Sequence, residues 1–158
     1  MKLSEILLEK SIVLDVKNID KWELIKQLTD VLVVSGQIGS DIRDSVFDGL
    51  IEREKSMSTG MENGIAIPHC CVNSISETVV SLGISSEGVD FDSIDSNPSR
   101  LVILLVTPKN KTKMHIKTLA EIAKLLNRAE SRQHILEAKS PEDALRIIRQ
   151  EEDGEVLK

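Results

Sequence analysis

The segment Arg100–Thr107, RLVILLVT, decides the fold, because every position from Leu101 to Val106 is apolar. A strand with one wet face alternates apolar and polar residues, since successive side chains point to opposite sides. An unbroken run instead fits a strand buried on both faces, at the centre of a sheet covered by helices on either side. Thr78–Ile84, TVVSLGI, reads as a second strong strand, and Ser11–Val16, SIVLDV, as a third. Ile65–Ile67 reads as a brief strand stopped by Pro68, which has no N–H to give a sheet. Gly88–Phe91, GVDF, reads as a short edge strand.

Helices interleave with these strands. Asp20 is an N-cap candidate with Glu23 three residues on, and Trp22, Ile25, Leu28, Val31 and Leu32 recur at helical spacing up to Gly36. Ser40 is expected to cap a second helix, with Asp41 and Asp44 in its first turn and Ile42, Val46 and Leu50 on its apolar face. From Thr112 the chain is helical again, with Ile116, Leu119, Ile122, Ala123 and Leu126 along one face. A short helix is expected around His134–Ala138, and Ser140, Pro141 and Asp143 open a last one. The expected fold is α/β, a three-layer α/β/α sandwich with a mixed central sheet, formed by a single domain over residues 1–158.

Aromatics are 2% of the chain, so the core must come from Leu, Ile, Val and Met. The net charge of -6 argues against a nucleic-acid surface, which needs clustered Lys and Arg. It leaves room for a protein partner with a basic face. No apolar run approaches the roughly 20 residues of a membrane span, so no direct membrane insertion is expected. The start, MKLSEILLEK, lacks the long apolar segment of a signal peptide, and the two cysteines are adjacent and cannot form a disulfide framework. A cytoplasmic location is expected.

Chemistry-bearing residues gather around Asn63–Cys71, NGIAIPHCC. His69 follows Pro68 and is expected to emerge where a strand leaves the sheet, the place where open α/β sheets carry their sites. The preceding loop, Ser56–Gly64, is rich in small residues and can bring backbone N–H groups to an anion. On residue type alone a histidine at this position is more often structural. Zinc at HCC would need further ligands, and adjacent cysteines on a strand point to opposite sides. A reactive thiolate beside His69 competes with the commoner role of buried, inert cysteine. His115 opens the helix after the RLVILLVT strand, where the helix dipole favours a neutral imidazole and welcomes an anion. Arg53 ends the second helix, and Glu52 and Glu54 beside it could simply pair with it. His134 reads as a surface residue.

The segment STGMENGIAIPHC resembles the active-site signature of the type-2 enzyme IIA domain of the bacterial phosphoenolpyruvate-dependent phosphotransferase system, the fructose, mannitol and nitrogen-regulatory class. EREK (Glu52–Lys55), GVDFDSID, LVILLVTP and HIKTLAEIAKLL resemble further segments of that family, in the same order. The resemblance implies a phosphoryl carrier. His69 would accept phosphate at Nε2 from the histidine-containing phosphocarrier protein, and His115 would support the phosphoryl group. Arg53 would lie beside it, with the loop residues Ser58, Thr59 and Gly64 as phosphate contacts. No metal and no cofactor is implied. Cys70 stands where the family usually has Gly, and neither Cys70 nor Cys71 inherits a role. A chain without IIB or membrane IIC domains resembles the freestanding nitrogen-regulatory branch, whose partner would be a regulated target protein. The alternative is a subunit of a sugar system that passes phosphate to a IIB cysteine.

Overall fold

The computed structural model describes residues 2–157, so the two outermost residues of the expected 1–158 domain lie outside the described residues. The elements in chain order are α1 (Leu3–Ile6), β1 (Leu7–Val13), α2 (Lys21–Val34), α3 (Arg43–Ser56), β2 (Ile65–Ala66), β3 (His69–Val72), β4 (Val79–Val89), β5 (Ser99–Pro108), α4 (Thr112–Leu126), α5 (Ala129–Leu136) and α6 (Pro141–Leu157). The strands form one mixed sheet. β1 runs parallel to β4, β4 antiparallel to β5, and β2 and β3 follow one another parallel to the far side of β5.

β5 is the central strand its sequence demands. Leu101, Ile103 and Leu105 enter one core, packed with residues of α4, α5 and α6. Val102, Leu104 and Val106 enter the other, packed with α2 and α3. All six are buried, each burial worth roughly 1.5–3 kcal/mol relative to exposure. The architecture is thus the three-layer sandwich on a mixed sheet that the run predicts.

Several boundaries differ from the sequence expectation, each for a local reason. β1 begins at Leu7 rather than Ser11, with Leu7 buried against Val80, and it ends before Asp15, whose φ of 56° breaks the extended run. The second helix starts at Arg43 with Ile42 at the N-cap position, because the Ile42 N–H turns back to the Gly39 carbonyl and closes a turn first. GVDF is no separate strand. Val89 ends β4 and pairs with Ser99 beyond a bulge, and Phe91 is fully buried in the α2/α3 core. Ile116 is 62% exposed, because α4 turns His115, Thr118, Ile122, Leu125 and Leu126 inward and the residue after His115 points to solvent. The short helix covers Ala129–Leu136 and not His134–Ala138. No helix among the described residues is long and apolar enough to cross a membrane.

Candidate functional site

Pro68 interrupts the strand but does not end it. β2 stops at Ala66, the Pro68 carbonyl accepts from the Leu105 N–H at 2.9 Å, and β3 resumes at His69 against the same β5. His69 therefore opens a second strand segment on the sheet edge and is not at a strand exit. Its register partner is Leu105, so it lies on the α4 side of the sheet, while Cys70 lies on the α3 side against Val46 and Gly49.

The tautomer of His69 follows from its partner. Nδ1 lies 2.7 Å from the Ile67 carbonyl oxygen. A carbonyl can only accept, so Nδ1 carries the proton and Nε2 keeps its lone pair in the neutral ring. Partial burial lowers the pKa of His69 below its usual 6.5, and the nearby Arg53 guanidinium lowers it further, outweighing the opposing pull of Ile67 and Glu54. The imidazole is thus held neutral with a free nitrogen.

His115 stands beside it. The two ring centroids are 5.3 Å apart, tilted by 46°. His115 is buried at the start of α4 with Nδ1 2.8 Å from the Thr107 hydroxyl, and burial, then His69, lowers its pKa. Arg53, in the last turn of α3, donates to the Met57 carbonyl at 2.7 Å. Arg53 and His69 both line a cleft of about 400 Å³, whose remaining wall is mostly apolar, including Met61, Ile94 and Leu119. A neighbouring cleft of about 580 Å³ shares Met61, Ile67 and Ile94 with it. Ile94, 77% exposed, and Met61 give His69 an apolar rim.

The loop residues hydrogen-bond largely within the protein. Ser58 and Thr59 reach the cleft, but the Ser58 hydroxyl donates to the Phe91 carbonyl. The Thr59 N–H and hydroxyl both donate to Glu54, at 2.9 and 2.5 Å. The Gly60 N–H donates to Ser58 Oγ, and that of Asn63 to Asp95. Gly64 has φ of 75° and its carbonyl accepts from the Arg100 and Leu101 N–H groups, which ties the loop to β5. These donors are committed to the protein and brace the loop.

Glu54 does not pair with Arg53. Only 2% exposed, it anchors Thr59 and lies 3.4 Å from Lys21 Nζ, which also reaches Asp92 at 3.0 Å. The signal was present in the sequence: Val46, Leu50 and Glu54 recur every four residues and share the inward face of α3. Thr107 was missed as well, since a threonine ending an apolar strand carries no pattern of its own. His134 is exposed, as expected, but it meets Glu151 at 2.8 Å. Burial pushes the Cys70 thiol up to about 12 and raises that of Cys71, which disfavours the thiolate that nucleophilic chemistry needs. Among the described residues, no group of three His, Cys, Asp or Glu side chains is placed to hold a metal ion.

Comparison with known proteins gives this site its setting. The chain is 32% identical over 150 residues to the PTS system fructose-specific EIIABC component of Bacillus subtilis, covering 95% of this chain and 23% of that protein. It is 29% identical over 155 residues to the nitrogen regulatory protein of Pseudomonas aeruginosa, covering 98% of this chain and 99% of that one. The crystal structure of nitrogen regulatory protein IIA-Ntr from Neisseria meningitidis superposes with a TM-score of 0.83 at 29% identity, covering 92% of this chain and 98% of that one. The family model described as "Phosphoenolpyruvate-dependent sugar phosphotransferase system, EIIA 2" matches residues 5–151. With sequence and fold agreeing over nearly its whole length, the chain belongs to the EIIA type-2 family of the phosphoenolpyruvate-dependent sugar phosphotransferase system.

Proposed function

We propose that this chain, acting over residues 1–158 as one cytoplasmic domain, carries a phosphoryl group on His69 Nε2. The observation that carries the reading is the His69 tautomer: the proton fixed on Nδ1 by the Ile67 carbonyl leaves Nε2 as the nucleophile. The donor is the histidine-containing phosphocarrier protein. Its P–N bond breaks with the electron pair left on the donor imidazole, as a new P–N bond forms from the lone pair on His69 Nε2. His69 loses no proton, because the proton stays on its own Nδ1, donated to the Ile67 carbonyl.

The added phosphoryl oxygens bring about two negative charges. Arg53 supplies fixed positive charge and planar donors, and His115 supplies a neighbouring neutral ring. Such transfer asks the protein for positioning and electrostatic support more than for covalent machinery. The apolar rim of Met61 and Ile94 suits contact with a partner surface around the histidine.

The regulatory role, with a regulated target protein as partner, is supported by the likeness to a nitrogen regulatory protein along 98% of the chain and 99% of that relative. The second reading, transfer onward to a IIB cysteine of a fructose- or mannitol-type system, is supported by the fructose-specific relative. Incubation with phosphoenolpyruvate, enzyme I and the phosphocarrier is expected to label the wild type and not His69→Ala. Labelling that survives this substitution would overturn the assignment. Onward transfer from the labelled chain to an isolated IIB domain decides between the two roles.

A further inference from the structure

Thr107 ends the buried core of β5 with no exposed surface, and its Oγ1 lies 2.8 Å from His115 Nδ1. It falls two residues after Leu105, on the same side of the sheet as His69, and is paired across the strands with Cys71. The register therefore carries His69 and Thr107 on one face, with the first turn of α4 bringing His115 over it.

A hydroxyl both donates and accepts. Among the described residues His115 is the partner this one meets. If His115 carried its proton on Nδ1, Thr107 would accept, and its own buried proton would be left without an acceptor. The other arrangement satisfies both groups. The hydroxyl donates to Nδ1, and the imidazole proton sits on Nε2, which is not among the sealed, unpartnered atoms of the interior. We infer that Thr107 is a positioning residue that locks His115 in its Nε2–H tautomer, so that His115 holds an N–H donor beside the bare Nε2 of His69. Two adjacent histidines then carry opposite tautomers, one a nucleophile and one a donor, each fixed through its Nδ1 by a different partner. The burial that keeps His115 neutral is consistent with this, because only a neutral ring has a tautomer to fix. The use of the donor, a hydrogen bond to a phosphoryl oxygen on His69, rests on the function proposed above. The tautomer itself does not.

The test has two arms. Long-range proton–nitrogen correlation spectra of the ¹⁵N-labelled, unphosphorylated chain report which ring nitrogen is protonated. His115 is expected to carry its proton on Nε2. Thr107→Val, close to isosteric in an apolar strand, is expected to move the ring shifts to those of a mixed-tautomer imidazole, and Thr107→Ser to restore them. A proton on Nδ1 in the wild type, or His115 shifts unchanged in Thr107→Val, overturns the inference. In the second arm, the rate of label transfer onto His69 is expected to fall about tenfold in Thr107→Val, the scale of one lost hydrogen bond to a charged group, and to recover in Thr107→Ser. A changed tautomer with an unchanged rate overturns the donor role. A wild type that takes no label overturns the phosphoryl-carrier reading, while the first arm still decides what Thr107 does.

Discussion

Removing the Glu54 carboxylate tests whether the cleft loop is braced from beneath. In Glu54→Ala the Thr59 N–H and hydroxyl lose acceptors at 2.9 and 2.5 Å, and Lys21 loses its buried counter-charge at 3.4 Å. Lys21 keeps Asp92, which is largely exposed and so compensates weakly. Two hydrogen bonds to a charged acceptor are worth about 1.5–3 kcal/mol each, and breaking a buried ion pair from one side costs about 3–5 kcal/mol. These overlap, because one carboxylate serves both, so the expected loss is about 3–5 kcal/mol. That is a large share of the roughly 5–15 kcal/mol that holds a domain folded. Urea denaturation should show it as a lower midpoint at unchanged slope. Thr59→Val in a double-mutant cycle with Glu54→Ala should give a coupling of roughly 0.5–3 kcal/mol. A loss under about 1 kcal/mol together with zero coupling would refute the bracing argument.

Three further outcomes are expected. Arg53→Ala removes a positive charge that lowers the His69 pKa, so the value measured by NMR titration should rise toward 6.5, and label transfer onto His69 should slow; a pKa that stays or falls contradicts the electrostatic account. Stability should depend on both site histidines: their folded pKa values lie below the usual 6.5, so between those values and 6.5 the unfolded chain binds more protons. Their contribution is therefore complete above about pH 6.5 and is lost as pH falls through that window, and urea midpoints at pH about 7.5 and 5.5 should converge when His69 and His115 are both replaced by Ala. Gly60→Ala would put a Cβ 2.5 Å from Ser93 Oγ and 3.0 Å from the Phe91 carbonyl, so it should cost about 1–3 kcal/mol and slow labelling of His69; wild-type stability would show that the loop yields freely.

The layered fold was legible because it rests on period. A run apolar at every position can be satisfied only between two cores, and Leu101–Val106 divides between them residue by residue. The same holds for α2, whose cap at Asp20 donates nothing but accepts from the Glu23 N–H at 2.9 Å as its sequence requires. Element ends were less legible. The turn before Arg43, the continuation of β4 to Val89 and the exposure of Ile116 depend on which neighbour the backbone meets, and local pattern does not contain that.

The sequence by itself determined the apolar strand core, the proline before His69 and the residue types from which a phosphoryl site can be made. Residue type alone favoured a structural role for His69, because an imidazole has no fixed chemistry until its partners choose a tautomer. Tertiary structure chose the tautomer. The Ile67 carbonyl fixes the proton on Nδ1, α4 brings a second ring to 5.3 Å, and Arg53 arrives from the opposite helical layer to line the same cleft. It also turned Glu54 inward to hold the loop, and gave the Ser58 hydroxyl and the Thr59 and Asn63 N–H groups partners within the protein. Hydrogen-bond partners and dielectric surroundings are set by residues distant in sequence, and those set the chemistry.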